Sequence, residues 1–187
     1  MKRRAIVLAA TQLGAGALLA RWARAAGIMP TDWYTIIHAA AANNLDGVKY
    51  FLAQNVNPNT KDPDDRTPLS FAVSFDNVEM TKVLLDHGAS PDVRDKHGDT
   101  PMHLAAGAGH TQVLQLMIQA HGQVDAQNRQ GVTPLMMAAG SGRVPAVKAL
   151  LAAGADPRKQ DFTGRDAFGW AASQPAALQA LKGAATH

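Results

Sequence analysis

Seven histidines, fourteen aspartates and one glutamate are the side chains with which this 187-residue chain could do metal or acid–base chemistry. Their spacing supports neither. No two histidines have the close helical spacing of a zinc pair, no carboxylate accompanies them, and HExxH is absent. There is no Gly-x-Ser-x-Gly elbow and no glycine loop ending in Gly-Lys-Ser/Thr. Cysteine is missing altogether, which excludes a disulfide scaffold, a zinc-thiolate site, a catalytic thiol and a lipidated N-terminal cysteine. The acidic residues fall mostly in short polar stretches and at helix starts, where aspartate serves backbone N–H groups. The expectation is therefore a chain that is no enzyme and holds no cofactor or metal.

What the polar stretches separate is more informative. Thr100-Pro101 opens a helix, with the threonine hydroxyl as cap and the proline at a position where its missing N–H does no harm. Gly109 provides a left-handed stop after about two turns. A second helical pattern follows, with Leu114, Met117 and Ile118 on one face. Steps of 33 residues from Thr100 reach Thr67 and Thr133, each followed by proline, and then the degenerate ends Tyr34 and Asp166. Five residues beyond these points stand Ala39, Ala72, Ala105, Ala138 and Ala171; Ala40, Val73, Ala106, Ala139 and Ala172 follow. The second helices carry Leu52, Leu85, Ile118 and Leu151, preceded by Phe51, Leu84, Met117 and Leu150. Small columns allow close approach of adjacent units and large ones fill the space between them, which predicts a stack of repeats.

The turns keep the same register. First helices should end at Asn43, Asp76, Gly109 and Gly142, and second helices at Asn55, Gly88, His121 and Gly154, residue types that mostly tolerate positive φ. Four-residue tips at 62–65, 95–98, 128–131 and 161–164 suit tight reversals with a left-handed last residue, and each is expected to project as a short β-hairpin.

Thr100-Pro101-Met102-His103, the paired alanines and Gly109-His110, repeated every 33 residues, resemble the ankyrin-repeat motif. Thr67-Pro68-Leu69 and Thr133-Pro134-Leu135 match it with Ser70 and Met136 in place of the histidine. The resemblance covers roughly residues 30–183 and implies an all-α ankyrin-repeat solenoid of helix-turn-helix units with β-hairpin tips. The units would be 34–66, 67–99, 100–132 and 133–165, closed by a C-terminal cap at 166–183. Trp33 and Tyr34 would cover one end; Phe168, Trp170, Leu178 and Leu181 would cover the other, with Pro175 cutting the last unit short. In this family the motif histidines, here His103 and His110, tie loops together by hydrogen bonds.

The first 26 residues differ in character. Lys2-Arg3-Arg4 precedes the uncharged stretch 5–20, and Ala23-Arg24-Ala25 offers an Ala-x-Ala cleavage pattern, the layout of a bacterial export signal. Arg3-Arg4 resembles the twin-arginine variety, although the flanking Ser/Thr and Lys of that pattern are absent. The stretch is short and weakly apolar for a membrane span, which needs about 20 residues. An uncleaved anchor and an amphipathic helix packed on the first unit are the alternatives. Cleavage would change the charge: the whole chain is +3, but five of its 18 basic residues and none of its acids lie in this segment. The remainder, with thirteen basic and fifteen acidic residues, is −2, so nucleic acid loses its support as a partner.

Binding of another protein is what the resemblance implies, through the hairpin tips and the exposed face of the first helices. Carried onto this sequence, the partner-binding residues are Arg66, Phe75, Arg94, Lys96, His97, Arg129 and Lys159, with Phe162 on the same surface. Phe75 takes the place of Ala42, Ala108 and Ser141, an aromatic expected to protrude among arginines and lysines. The expected protein is periplasmic and monomeric, without a stable membrane span once the signal is removed, and acts as an adaptor or stabilising partner of a co-localised enzyme. The alternatives are an immunity-type neutraliser of an exported toxin or lipase, and a small-molecule or metal binder using the tip histidine His97 together with His103.

Overall fold

The structure, a computed structural model, describes residues 35–184. The expected export segment and the covering residues Trp33 and Tyr34 lie outside them. Ten helices follow one another among the described residues: α1 (Ile36–Ala41), α2 (Leu45–Ala53), α3 (Pro68–Ser74), α4 (Val78–Asp86), α5 (Pro101–Ala108), α6 (Thr111–Gln119), α7 (Pro134–Gly140), α8 (Val144–Ala152), α9 (Ala167–Trp170) and α10 (Pro175–Ala184). Consecutive helices pair within a unit. Odd-numbered helices then pack on the odd-numbered helices of adjacent units, and even on even, which makes a solenoid.

Local chemistry explains where each helix starts. The Thr67 hydroxyl accepts the Ser70 N–H at 3.3 Å, and the Thr67 N–H donates to Ser70 Oγ at 3.3 Å. Asn44 and Asn77 cap α2 and α4 by accepting the N–H of Gly47 and Met80 at 3.0 and 2.9 Å. The first unit departs from strict register. Thr35, not Tyr34, caps α1, accepting the His38 N–H at 3.5 Å. A tyrosine hydroxyl is too far from its own backbone to cap the turn, so the cap moves one residue on. Pro175 also behaves differently from expectation: it opens α10, the longest helix described at ten residues, because proline suits the first helical turn.

The core lies where the small columns placed it. Ala39, Ala72, Ala105, Ala138 and Ala171 are all fully buried. Ala40, Val73, Ala106 and Ala139 are fully buried too, whereas Ala172 is exposed at the end of the stack. Of the two large columns, Phe51, Leu84, Met117 and Leu150 form the interior; Leu85, Ile118 and Leu151 are only half-buried. Thr81 interrupts a second interior column, in register with Val48, Leu114 and Val147. It is fully buried and its hydroxyl has no hydrogen-bond partner. Thr81→Val keeps the shape and removes an unsatisfied polar atom, so it should raise the unfolding free energy by about 1 kcal/mol in a urea melt; a lower midpoint would show that the hydroxyl is satisfied.

The tips are tight turns rather than β-hairpins. No described residue is in a strand. Each tip is closed by a backbone bond, from Asp62 N–H to Arg66 O at 2.9 Å and equivalently in the others, and each bonds once to its neighbour. That leaves too few bonds for a ladder. The first residue of each tip holds it shut from within: Asp62, Asp95, Asn128 and Asp161 each accept, through one side-chain oxygen, the N–H groups two and four residues on, at 2.8–3.0 Å. The last tip residues, Asp65, Gly98, Gly131 and Gly164, have φ between 60° and 81°.

Candidate binding groove

The predicted site residues are distributed over the tips and the ends of the first helices. Tip-to-tip backbone bonds fix the rim: Lys96 N–H to Asp64 O at 3.1 Å, Arg129 N–H to His97 O at 3.2 Å, and Phe162 N–H to Gln130 O at 3.0 Å. Between the second and third tips and α7 lies a cleft of about 320 Å³, lined by Lys96, His97, Asp99, Asn128, Arg129, Gln130 and Met137. A second cleft of about 310 Å³ on the other side of Arg129 includes Lys61, Asp65, Arg94 and Gln127.

The structure thus brings Lys96, His97 and Arg129 together. It separates others. Arg94 turns inward, its guanidinium donating to Gly98 O at 3.1 Å and to Gln127 O, so it braces two tips. Lys159 reaches back to Asp125, 3.5 Å from its carboxylate, rather than toward the groove residues. Arg66 pairs with Asp62 at 2.8 Å and Asp64 at 3.6 Å, and its guanidinium stands 4.6 Å from the Phe71 ring centre. Phe71, not Phe75, is the aromatic that arginine covers. Phe75 follows the last residue of α3, one helical turn beyond Phe71, and is 47% exposed. Phe162 is the more open, at 75%.

Most of the rim's charge is neutralised internally. Lys96 lies 2.8 Å from Asp64, and that hydrogen bond, with the charge beside it, holds the Asp64 carboxyl below its usual range. Asp161 is 5% exposed and accepts from the Thr163 hydroxyl at 2.6 Å and the Trp170 indole N–H at 2.9 Å. These bonds, led by the Thr163 hydroxyl, hold its carboxyl far below the carboxylate range although burial opposes them. Arg165 completes this end by standing 4.7 Å from the Trp170 ring centre. The triad Asp161, Arg165 and Trp170 repeats Asp62, Arg66 and Phe71 three units later.

The sequence reading passed over a row of residues that joins these two ends. Phe71, Leu104, Met137 and Trp170 recur at the 33-residue interval on the first helices, each half-buried and packed on the core. Met137 lines the cleft, so this row faces the tips. Trp170 lies flat against Gly140, where an added Cβ would come within 2.8 Å of the indole. The signal was present as one more periodic column, large and apolar, next to the alanines.

Histidine ligation at the tips fails on His103. It is fully buried, its Nδ1 is 3.1 Å from the Thr100 N–H donor and its Nε2 is 3.0 Å from Val132 O, so both ring nitrogens are occupied. Among the described residues no three His, Asp or Glu side chains come together as a metal-holding group. No described helix is long and apolar enough to cross a membrane. The His110 ring sits 3.4 Å from the Asp76 carboxylate of the preceding unit, a link between loops.

No curated protein matches the chain. The family model described as ankyrin repeats (3 copies) matches residues 8–95, 36–128 and 89–161, most of the sequence. With the alanine columns buried between stacked helix pairs and the motif histidine bonded to the turn that closes its unit, the chain belongs to the ankyrin-repeat family, a fold that typically serves as a scaffold for protein–protein interaction.

Proposed function

We propose that the chain is exported to the periplasm and there binds another protein noncovalently, as adaptor or stabilising partner of an enzyme in the same compartment. The observation that supports binding is the apolar row Phe71, Leu104, Met137 and Trp170 beside a polar rim that carries the exposed Phe162. Apolar anchors within a polar border are the composition of an interface centre. The stack is already ordered before docking, so association loses little conformational entropy. Export rests on the N-terminal layout alone.

Three measurements test this reading. Intact mass of the native protein from the periplasmic fraction should show a new N-terminus near Ala26 or Gly27, and a full-length mass would overturn export. Affinity capture from that fraction should retain a partner whose activity is preserved or raised, while lost activity would make the chain a neutraliser. Phe75→Ala combined with Phe162→Ala should leave the melt nearly unchanged, since both rings are exposed, yet weaken the complex by roughly 2 kcal/mol. Unchanged affinity would move the interface away from this face.

A further inference from the structure

Of the cations assigned to the binding face, Arg66, Lys96 and Lys159 are each paired with an aspartate, and Arg94 is held by two carbonyl groups. Arg129 is different. Its guanidinium has no hydrogen bond or ion pair among the described residues, although it is shared by the two clefts. Nor is its stem loose. The Arg129 N–H is bonded to His97 O, and its chain lies so close over Gly98 that an added Cβ there would meet Arg129 N at 2.8 Å and Cγ at 2.9 Å. An arginine with a positioned stem and an unused fork is a receptor for a carboxylate.

The groups around it fit the same chemistry. His97 and Lys96 are neighbours on the rim, and the nearest acids are engaged. Asp99 accepts from Asn128 Nδ2 at 2.7 Å, Asp95 holds its own tip, and Asp65 lies 3.3 Å from Lys61. The apolar surface is equally close in register: Phe162 is one unit on from Arg129 in the same column, with its ring against Gly131, and Met137 lines the cleft that Arg129 borders.

We propose that Arg129 anchors an acidic side chain of an extended segment of the partner protein, while Phe162 and Met137 receive an apolar side chain next to it. This deepens the protein-binding reading and rests on it. The occupant is committed by charge: an unpaired guanidinium beside apolar surface selects a carboxylate adjacent to an apolar residue.

A random linear-peptide library displayed on phage and selected on the purified chain tests it. Enrichment of peptides with Asp or Glu beside a large apolar residue is expected. Arg129→Glu should weaken their binding about tenfold or more with an unchanged melt, while Lys148→Glu on α8 should not affect it. Binding should also weaken severalfold in about 0.5 M salt. Selected peptides that lack acidic residues, or acidic peptides indifferent to Arg129→Glu, overturn the inference and leave the groove as a binding surface. Displacement by single-stranded DNA as effective as by free peptide makes the site a phosphate reader and overturns it too. Enrichment of no peptide at all overturns both readings.

Discussion

Ala105→Glu should abolish the cooperative melt of the central units. Ala105 is fully buried in α5, which packs on α3 before it and α7 after it. Its column holds only alanine, so no neighbour can retract to admit a carboxylate and none offers it a cation. Overpacking such a site costs about 1–3 kcal/mol, and burying an unpaired charge adds several more. The sum is comparable to the whole stability of a typical domain, about 5–15 kcal/mol. In a stack the damage falls on two interfaces at once. Circular dichroism on heating should show a broad or absent transition, while Ala108→Glu, an exposed position on the same helix, should melt like the parent. A cooperative melt of Ala105→Glu at an unchanged temperature would refute the packing register.

His103→Ala should destabilise the chain by about 2–4 kcal/mol and remove one part of its pH dependence. The ring closes the N-terminus of α5 through Thr100 and reaches Val132 O, so one side chain ties the start of its unit to the turn that ends it. Deleting it orphans the buried Thr100 N–H, takes one of two donors from Val132 O, which keeps the Asn128 N–H, and leaves a cavity. His103→Ser should recover part of the loss, because Ser70 closes the equivalent box with Thr67 one unit earlier. Burial holds the His103 pKa below its ordinary value of 6.5, outweighing the bond to Val132. The unfolded chain therefore takes up a proton first. Stability should be fully present above about pH 6.5 and decline as pH falls from there toward the folded value. Asp64 and Asp161, whose carboxyls are depressed, contribute above about pH 4, and that contribution is lost on further acidification. Chemical unfolding across pH should show two declines in the parent and only the lower one in both variants. An unaltered upper decline would assign it to another group.

The sequence was most legible where the determinant is local. All twelve described residues with positive φ, from Asn43 to Gly164, occupy the turn positions set by the 33-residue register, because a left-handed residue is specified by its own side chain or lack of one. Burial of the alanine columns was legible for a similar reason: period and size suffice. Pairing was not. Lys96 and Arg129 occupy equivalent positions in successive tips, yet one is neutralised by Asp64 and the other is unpaired, and that depends on whether an acid stands one unit earlier. Arg94 and Arg66 read as exposed charges but are engaged with carbonyls and a ring 33 and five residues away. The hairpins failed to form because tip spacing shows a reversal without counting the bonds that would extend it.

The identity of one interface with the next bears on how such a chain can change length. Because Ala72, Ala105 and Ala138 present the same fully buried contact at successive junctions, an in-frame duplication of residues 100–132 would meet familiar surfaces above and below. A longer molecule would require no newly invented interior, only one more copy of a seam already solved, while the added tip would be free to acquire its own chemistry.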